Sequence, residues 1–284
     1  MAPARRHRVR VDPSKARTSR RSIARTRTIL ATLAWAGVLS TAHIERLEFP
    51  SRRRAQKGMR SLFDDGLVRV CLHGEAWHRD NLYTITAAGL RLLEVEGLLP
   101  GEPPRPPPAP RATKLPHTLL LRDVFVALLL AEREGHLRVD DFLFDRDLAR
   151  EPLLRDVGLI PDGLAVLDCP GGERRVGVEV DRGTETLATL RAKFQRWRTL
   201  LDAAPAILPR GSALLIVVTR AGRRATLSRA VTETLLAPRA RVVLVEELPA
   251  LFASGWPHEM SFRTGGPAVS AQTDEASFEA VRTS

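Results

Sequence analysis

Apolar residues recur at helical spacing over residues 22–39, and Gly37 followed by Ser40-Thr41 predicts a stop there. A second, shorter helix then spans 41–49 and closes at Pro50. Ser51 is a good N-cap for a third helix reaching Asp65, with Gly66 at its C-terminal stop. In that helix Ala55, Met59, Leu62 and Phe63 fall on one face, so Arg53, Lys57 and Arg60 point the opposite way, with Arg54 and Gln56 on the flanks. A strand over 67–72, a loop over 73–81 and a returning strand over 82–85 follow, and Thr86 caps a last helix over 87–96.

Beyond residue 113 strands interleave with helices. A helix over 117–134 buries Leu120, Val124, Leu128 and Ala131, and weak alternation over 137–144 reads as a strand. Residues 159–167 bring the pair Pro161-Asp162 to the start of another strand, and the turn Pro170-Gly171-Gly172 leads into a strand over 175–181. There Val176, Val178 and Val180 share one face, while Gly177, Glu179 and Asp181 share the other. After Gly183 an amphipathic helix over 186–201 turns Leu187, Leu190, Phe194, Trp197 and Leu201 inward, with Lys193 at the flank of the stripe. A strand over 213–219, a helix over 225–236 and a strand over 241–246 complete the order.

Seven prolines between Pro100 and Pro110 separate the two patterned regions; they remove backbone donors and stiffen the chain into an extended linker. The expected organisation is α/β in two domains: a basic flexible arm over 1–21, a first domain over 22–99, the linker over 100–113, a second domain over 114–262 and a disordered tail over 263–284. The 284 residues, 44% hydrophobic and 27% charged, have globular proportions and exclude collagen-like, coiled-coil and mucin-like classes. The longest apolar run, 29–39, falls well short of the ~20 residues that span a bilayer. With no signal peptide visible, a cytoplasmic protein without membrane attachment is expected. Cys71 and Cys169 are too few for a disulfide framework or a four-ligand zinc site and read as packing residues.

Charge adds the first functional signal. Residues 1–60 hold 16 Lys and Arg against 3 Asp and Glu, a net of +13, whereas the rest of the chain nets −2. The asymmetry points to a polyanion met by the N-terminal part. Only four lysines stand beside 40 arginines, so arginine number alone carries little weight.

Three helices followed by a hairpin is the winged helix-turn-helix order, and the run "RSLFDDGLVRV … LYTITAAGLRLL" resembles bacterial winged-helix regulators. A helix with a basic outward face enters the major groove of double-stranded DNA, and the hairpin loop touches backbone or minor groove. Arg53, Arg54, Gln56, Lys57 and Arg60 are the groove candidates, and Arg5, Arg6, Arg8 and Arg10 of the arm supply phosphate attraction. The plain alternatives are a solvated basic face or a protein-contact module.

In the second region, the strand order with Pro161-Asp162 on one strand, Glu179 and Asp181 on the next and Lys193 on the following helix resembles the PD-(D/E)xK nuclease-like fold. This is a restriction-endonuclease-like mixed sheet flanked by helices. The resemblance implies that Asp162 and Glu179 hold Mg²⁺ or Mn²⁺ while a lysine stabilises the attacked phosphate; the chemistry needs oxygen ligands on the metal and positive charge on the phosphoryl oxygens. The motif calls for lysine where Asp181 stands, so Lys193 is the substitute ammonium and Asp181 joins Asp162 and Glu179 as a candidate catalytic acid. The spacing from Lys193 to Trp197 resembles a Gln-x-x-x-Tyr element on the same helix of some members.

The strings "YTITAAGLRLL", "LPHTLLLRDVFVALL" and "LIPDG … VGVEVDRGTETLATLRAKFQRW" together resemble the plasmid replication-relaxation protein family over about residues 22–260. That likeness implies a role in DNA metabolism of plasmids, phages or other mobile elements. Two functions stay open: a Mg²⁺-dependent DNA endonuclease, or a non-catalytic DNA-binding regulator or replication accessory factor with a degenerate nuclease-like scaffold. A homodimer and mobile-element protein partners are compatible with either.

Plainer readings stand beside these. Asp162 fits a Pro-Asp-Gly turn, Glu179 and Asp181 fit ion pairs with Arg174, Arg182 or Arg191, and Glu185 fits a solvated acid at a helix start. Asp123 reads as an exposed acid, His117 as a residue that caps or packs at its helix start, and Asp140, Asp141, Asp145 and Asp147 as a solvated strand edge.

Overall fold

Gly37 takes φ of 78°, a left-handed conformation that suits glycine, and ends α1 (Arg20–Ala36). The computed structural model describes residues 20–71, 80–99, 113–169, 172–203 and 205–257. The arm with Arg5, Arg6, Arg8 and Arg10, most of the hairpin loop, the proline-rich linker up to residue 112 and the expected tail lie outside the described residues. The chain divides into two compact units, with the boundary along the sequence between Ala112 and Thr113.

In the first unit, α1 stops earlier than expected because the chain enters a two-residue strand, β1 (Leu39–Ser40), too short to leave a periodic signal. Ser40 then caps α2 (Thr41–Glu48): its hydroxyl accepts from His43 N–H at 3.2 Å, and its own N–H donates to His43 Nδ1 at 3.3 Å. Next come α3 (Arg52–Asp64), β2 (Val68–Cys71), β3 (Leu82–Ile85) and α4 (Ala87–Val95). Ser51 precedes α3 without a side-chain capping bond, whereas Thr86 Oγ1 accepts from Gly89 N–H at 3.1 Å as the sequence predicts. The three strands form an antiparallel sheet in the order β1-β3-β2. Ala55, Met59 and Leu62 are buried together with Leu30, Leu33, Ile44, Tyr83 and Leu93.

The second unit begins with α5 (Leu115–Arg133) and β4 (Arg138–Phe144). Two short helices, α6 (Asp145–Leu148) and α7 (Pro152–Asp156), then precede the hairpin of β5 (Gly163–Cys169) and β6 (Gly172–Asp181). It continues with α8 (Leu187–Ala203), β7 (Ala213–Val218), α9 (Ala221–Glu233), β8 (Ala240–Leu244) and α10 (Leu248–Ala253). The five strands form one mixed sheet in the order β4-β5-β6-β7-β8, antiparallel up to β6 and parallel beyond it. Gly163, register partner of Val178, lies under Leu121 of α5, which puts the Val176, Val178 and Val180 face of β6 toward that helix. Gly177 lies under Trp197 of α8, so Glu179 and Asp181 look to the opposite side. The core there gathers Leu190, Phe194, Trp197, Leu214, Ile216 and Leu227.

Three local departures have physical causes. Helix α9 ends before the expected residue 236 because Leu235 takes φ of 60° and reverses the chain. Edge strand β4 carries an irregularity between Val139 and Asp141, with Asp140 bonded to Arg138 at 2.8 Å. Arg122 is buried on α5, an unusual place for a guanidinium, and stacks on the Phe144 ring at 3.7 Å. Burial and the charge of Arg146 push it down to about 9, against the pull of Asp145 and Asp147.

Candidate functional site

Strand β6 ends in Val178-Glu179-Val180-Asp181, and because β5 runs antiparallel beside it, Asp162 arrives at the same end of the sheet. Val180 N–H donates to Asp162 Oδ2 at 2.8 Å and fixes that carboxylate against β6. His117, in the first turn of α5, sets Nε2 3.2 Å from the same oxygen. Glu179 is almost enclosed, its side chain 5% exposed. Trp197 Nε1–H donates to Glu179 Oε1 at 2.8 Å, and Lys193 Nζ pairs with Oε2. Lys193 and Trp197 are four residues apart on α8, so one helix face delivers both groups to one carboxylate.

The electrostatics follow from this crowding. Burial works to raise the Asp162 carboxyl, but the hydrogen bond and charge of His117, the charge of Lys193 and the Val180 N–H together hold it below its ordinary value. Glu179 goes the other way: burial and the neighbouring Asp162 charge raise it well above the usual carboxylate range, against the pull of Lys193 and Trp197. Burial alone would lower the Lys193 ammonium, yet Glu179 and Asp162 hold it above its usual value.

Asp181 is not part of this cluster's bonding. Its Oδ2 pairs with Arg223 Nε, its Oδ1 accepts from Gly183 N–H at 2.8 Å, and Arg223 Nη2 reaches Glu185 O at 2.8 Å. The acid thus ties the end of β6 to α9 and the intervening loop. Arg191, one of its expected partners, pairs instead with Glu233 at 2.6 Å. Glu185 is exposed, and Asp123 is half-buried.

Among the described residues no three or more His, Cys, Asp or Glu gather as a metal site. Mg²⁺ needs fewer, because it is bound through one or two carboxylates with water and substrate phosphate completing its shell. The contacts of Asp162 fall on Oδ2, and Glu179 stands on the adjacent strand. Asp162 could therefore help to hold a hard divalent ion as it stands, whereas Glu179, engaged by Trp197 and Lys193, could join it only once Lys193 let go.

Sequence reasoning reached Asp162, Glu179 and Lys193. It missed three supporting contacts: His117 on Asp162, the Trp197 donor on Glu179 and Arg223 on Asp181. Only the second had a local signal, the four-residue spacing on a helix; the other two join positions 45 and 42 residues apart.

On the first unit, Arg53, Arg54, Gln56 and Lys57 are exposed along α3, opposite Ala55 and Met59. Arg60 is half-buried, with Nε 2.9 Å from Asp64 Oδ2. Arg52 pairs with Asp80, whose Oδ2 also accepts from Ala42 N–H at 3.1 Å, so one carboxylate clasps the starts of α2 and α3.

No helix among the described residues is long and apolar enough to cross a membrane. A model of the replication-relaxation family matches residues 30–211, from within α1 to the approach of β7, and so takes in α3, Asp162, Glu179 and Lys193 but not Arg223. Comparison with curated proteins and with solved structures gives no match.

Proposed function

The chain belongs to the replication-relaxation family, a membership that suggests a role in replication or relaxation of mobile-element DNA, and from that premise we propose that it binds double-stranded DNA and cleaves its phosphodiester bonds with Mg²⁺ or Mn²⁺. In this reading the first unit is a winged helix-turn-helix and the second a PD-(D/E)xK nuclease-like domain. One observation carries it: Asp162 at the entrance of β5, held against Val180, and Glu179 on β6 reach the same end of the sheet, where Lys193 of α8 pairs with Glu179.

Helix α3 enters the major groove with Arg53, Arg54, Gln56 and Lys57, where each good bidentate base contact contributes about 1–3 kcal/mol of discrimination. At the second unit, Asp162 and Glu179 would hold the divalent ion, which when bound lowers the pKa of its water and offsets charge on the phosphoryl oxygens. His117 and Val180 N–H orient Asp162, Trp197 orients Glu179, and Lys193 donates to the phosphate under attack. Asp181 serves by position, holding Arg223 and the loop behind the site.

Supercoiled, linear and branched DNA incubated with the protein and Mg²⁺ or Mn²⁺ should be cut, and Asp162→Ala or Glu179→Ala should abolish it. Cleavage no greater than that of these controls overturns the nuclease. A second reading, a DNA-binding replication accessory without turnover, is favoured by the enclosure of Glu179, whose two oxygens are already engaged. It expects DNA binding to survive both substitutions with no metal bound.

A further inference from the structure

Glu179 and Lys193 form a closed pair of unequal accessibility. The Glu179 side chain is 5% exposed and its Oε2 is buried, whereas Lys193 is 23% exposed. Trp197, wholly buried, grips Oε1, and Gly177 leaves the indole the room to do so. The Glu179 carboxylate therefore cannot simply turn away from the ammonium. A hard divalent ion needs ionised oxygen ligands and is repelled by an ammonium on the same oxygen. Asp162 differs, since Val180 N–H and His117 hold it by a single oxygen.

We propose that Lys193 latches Glu179 in the DNA-free protein, and that a DNA phosphodiester opens the latch by drawing the ammonium onto its own oxygens, so that divalent metal and DNA bind cooperatively. The inference rests on the nuclease-like reading of the site and names what regulates it. Lysine suits the exchange: it is a point charge on a flexible four-carbon stem and can trade one anion for another without bidentate geometry. The ammonium stays paired throughout, and Asp162 offers a ligand in both states. Glu179 is the ligand that changes.

The test titrates the full chain with Mn²⁺, reading free ion by electron paramagnetic resonance, without and with a short DNA duplex at low salt. Fluorescence anisotropy follows DNA binding in the same samples, and Asp162→Asn protein with the same DNA subtracts ion held by the nucleic acid. DNA should tighten Mn²⁺ binding by about tenfold or more, and Mn²⁺ should tighten DNA binding by the same factor, as linkage requires. In Lys193→Met, and in Lys193→Gln run beside it in case one variant folds poorly, Mn²⁺ should bind without DNA more tightly than in the unaltered protein. DNA should then add only the smaller gain that phosphate ligation of the ion supplies. Equal Mn²⁺ affinity of the unaltered protein with and without DNA overturns the latch and leaves the metal site standing. An undiminished DNA effect in both Lys193 variants, with Mn²⁺ affinity in the absence of DNA unchanged, also overturns it. Absence of Mn²⁺ binding by every protein in every condition overturns the metal site, and the latch with it.

Discussion

The indole of Trp197 occupies the space where a side chain at position 177 would stand: a Cβ on Gly177 would lie 2.2 Å from Trp197 Cη2. Two strand positions later, the same indole donates to Glu179. The glycine is therefore a condition of the acid's orientation, and packing and chemistry meet in one contact.

Gly177→Ala should displace Trp197 and cost about 1–3 kcal/mol, the usual range for overpacking a filled core. Trp197→Phe removes the donor and leaves Glu179 Oε1 without its hydrogen bond, which should cost about 1–3 kcal/mol through an unsatisfied buried acceptor, beyond any loss of packing. Chemical denaturation of each variant checks both values.

Acid should weaken the fold through Asp162. Its carboxyl sits below the ordinary 3.8, so its contribution is present above that value and is lost as pH falls through the lower folded value. Glu179 works with the opposite sign: burial and the Asp162 charge raise it, so its contribution is present below the ordinary 4.5 and is lost as pH rises through the folded value, with the Lys193 pair limiting the loss. Denaturation at a series of pH values should show the gap between the protein and Asp162→Asn shrinking on the acid side.

Arg122 offers a stabilising substitution. Its Nε and Nη1 are buried with no hydrogen-bond partner among the described residues. Replacing such a cation by an apolar side chain of similar length is often neutral or stabilising by about 1–4 kcal/mol. Arg122→Met should raise the denaturation midpoint, although loss of the stacking on Phe144 offsets part of the gain.

Leu235 holds φ of 60° and is 63% exposed, so little packing rewards its left-handed backbone. Leu235→Gly should stabilise the turn after α9 by about 1 kcal/mol. A lower melting temperature in the variant would contradict this account.

On α3, Arg53→Ala or Lys57→Ala should weaken DNA binding more than Arg60→Ala, because Arg60 is already bonded to Asp64. For a side chain that contacts phosphate, the slope of log K against log salt should fall by about one. Anisotropy titrations at several salt concentrations measure it.

The element order and the inward faces of α3, α5 and α8 were legible because helical spacing and strand alternation are local signals. The segments that escaped are β1, α6, α7 and α10, from two to six residues long, too few for a period to repeat. Asp162 and Glu179 could be read together because a hairpin fixes its own register across a short turn.

By itself, then, the sequence determined the alternation that sets Glu179 and Asp181 on one face, the helix spacing of Lys193 and Trp197, and the basic stripe of α3. Tertiary structure alone decided which acid met which partner. Glu179 and Asp181 share a strand face, yet α8 brings Lys193 and Trp197 to the first and α9 brings Arg223 to the second. The reason is physical: the backbone period assigns a side chain to a face, but only the packing of distant helices against that face decides which charge it finds there.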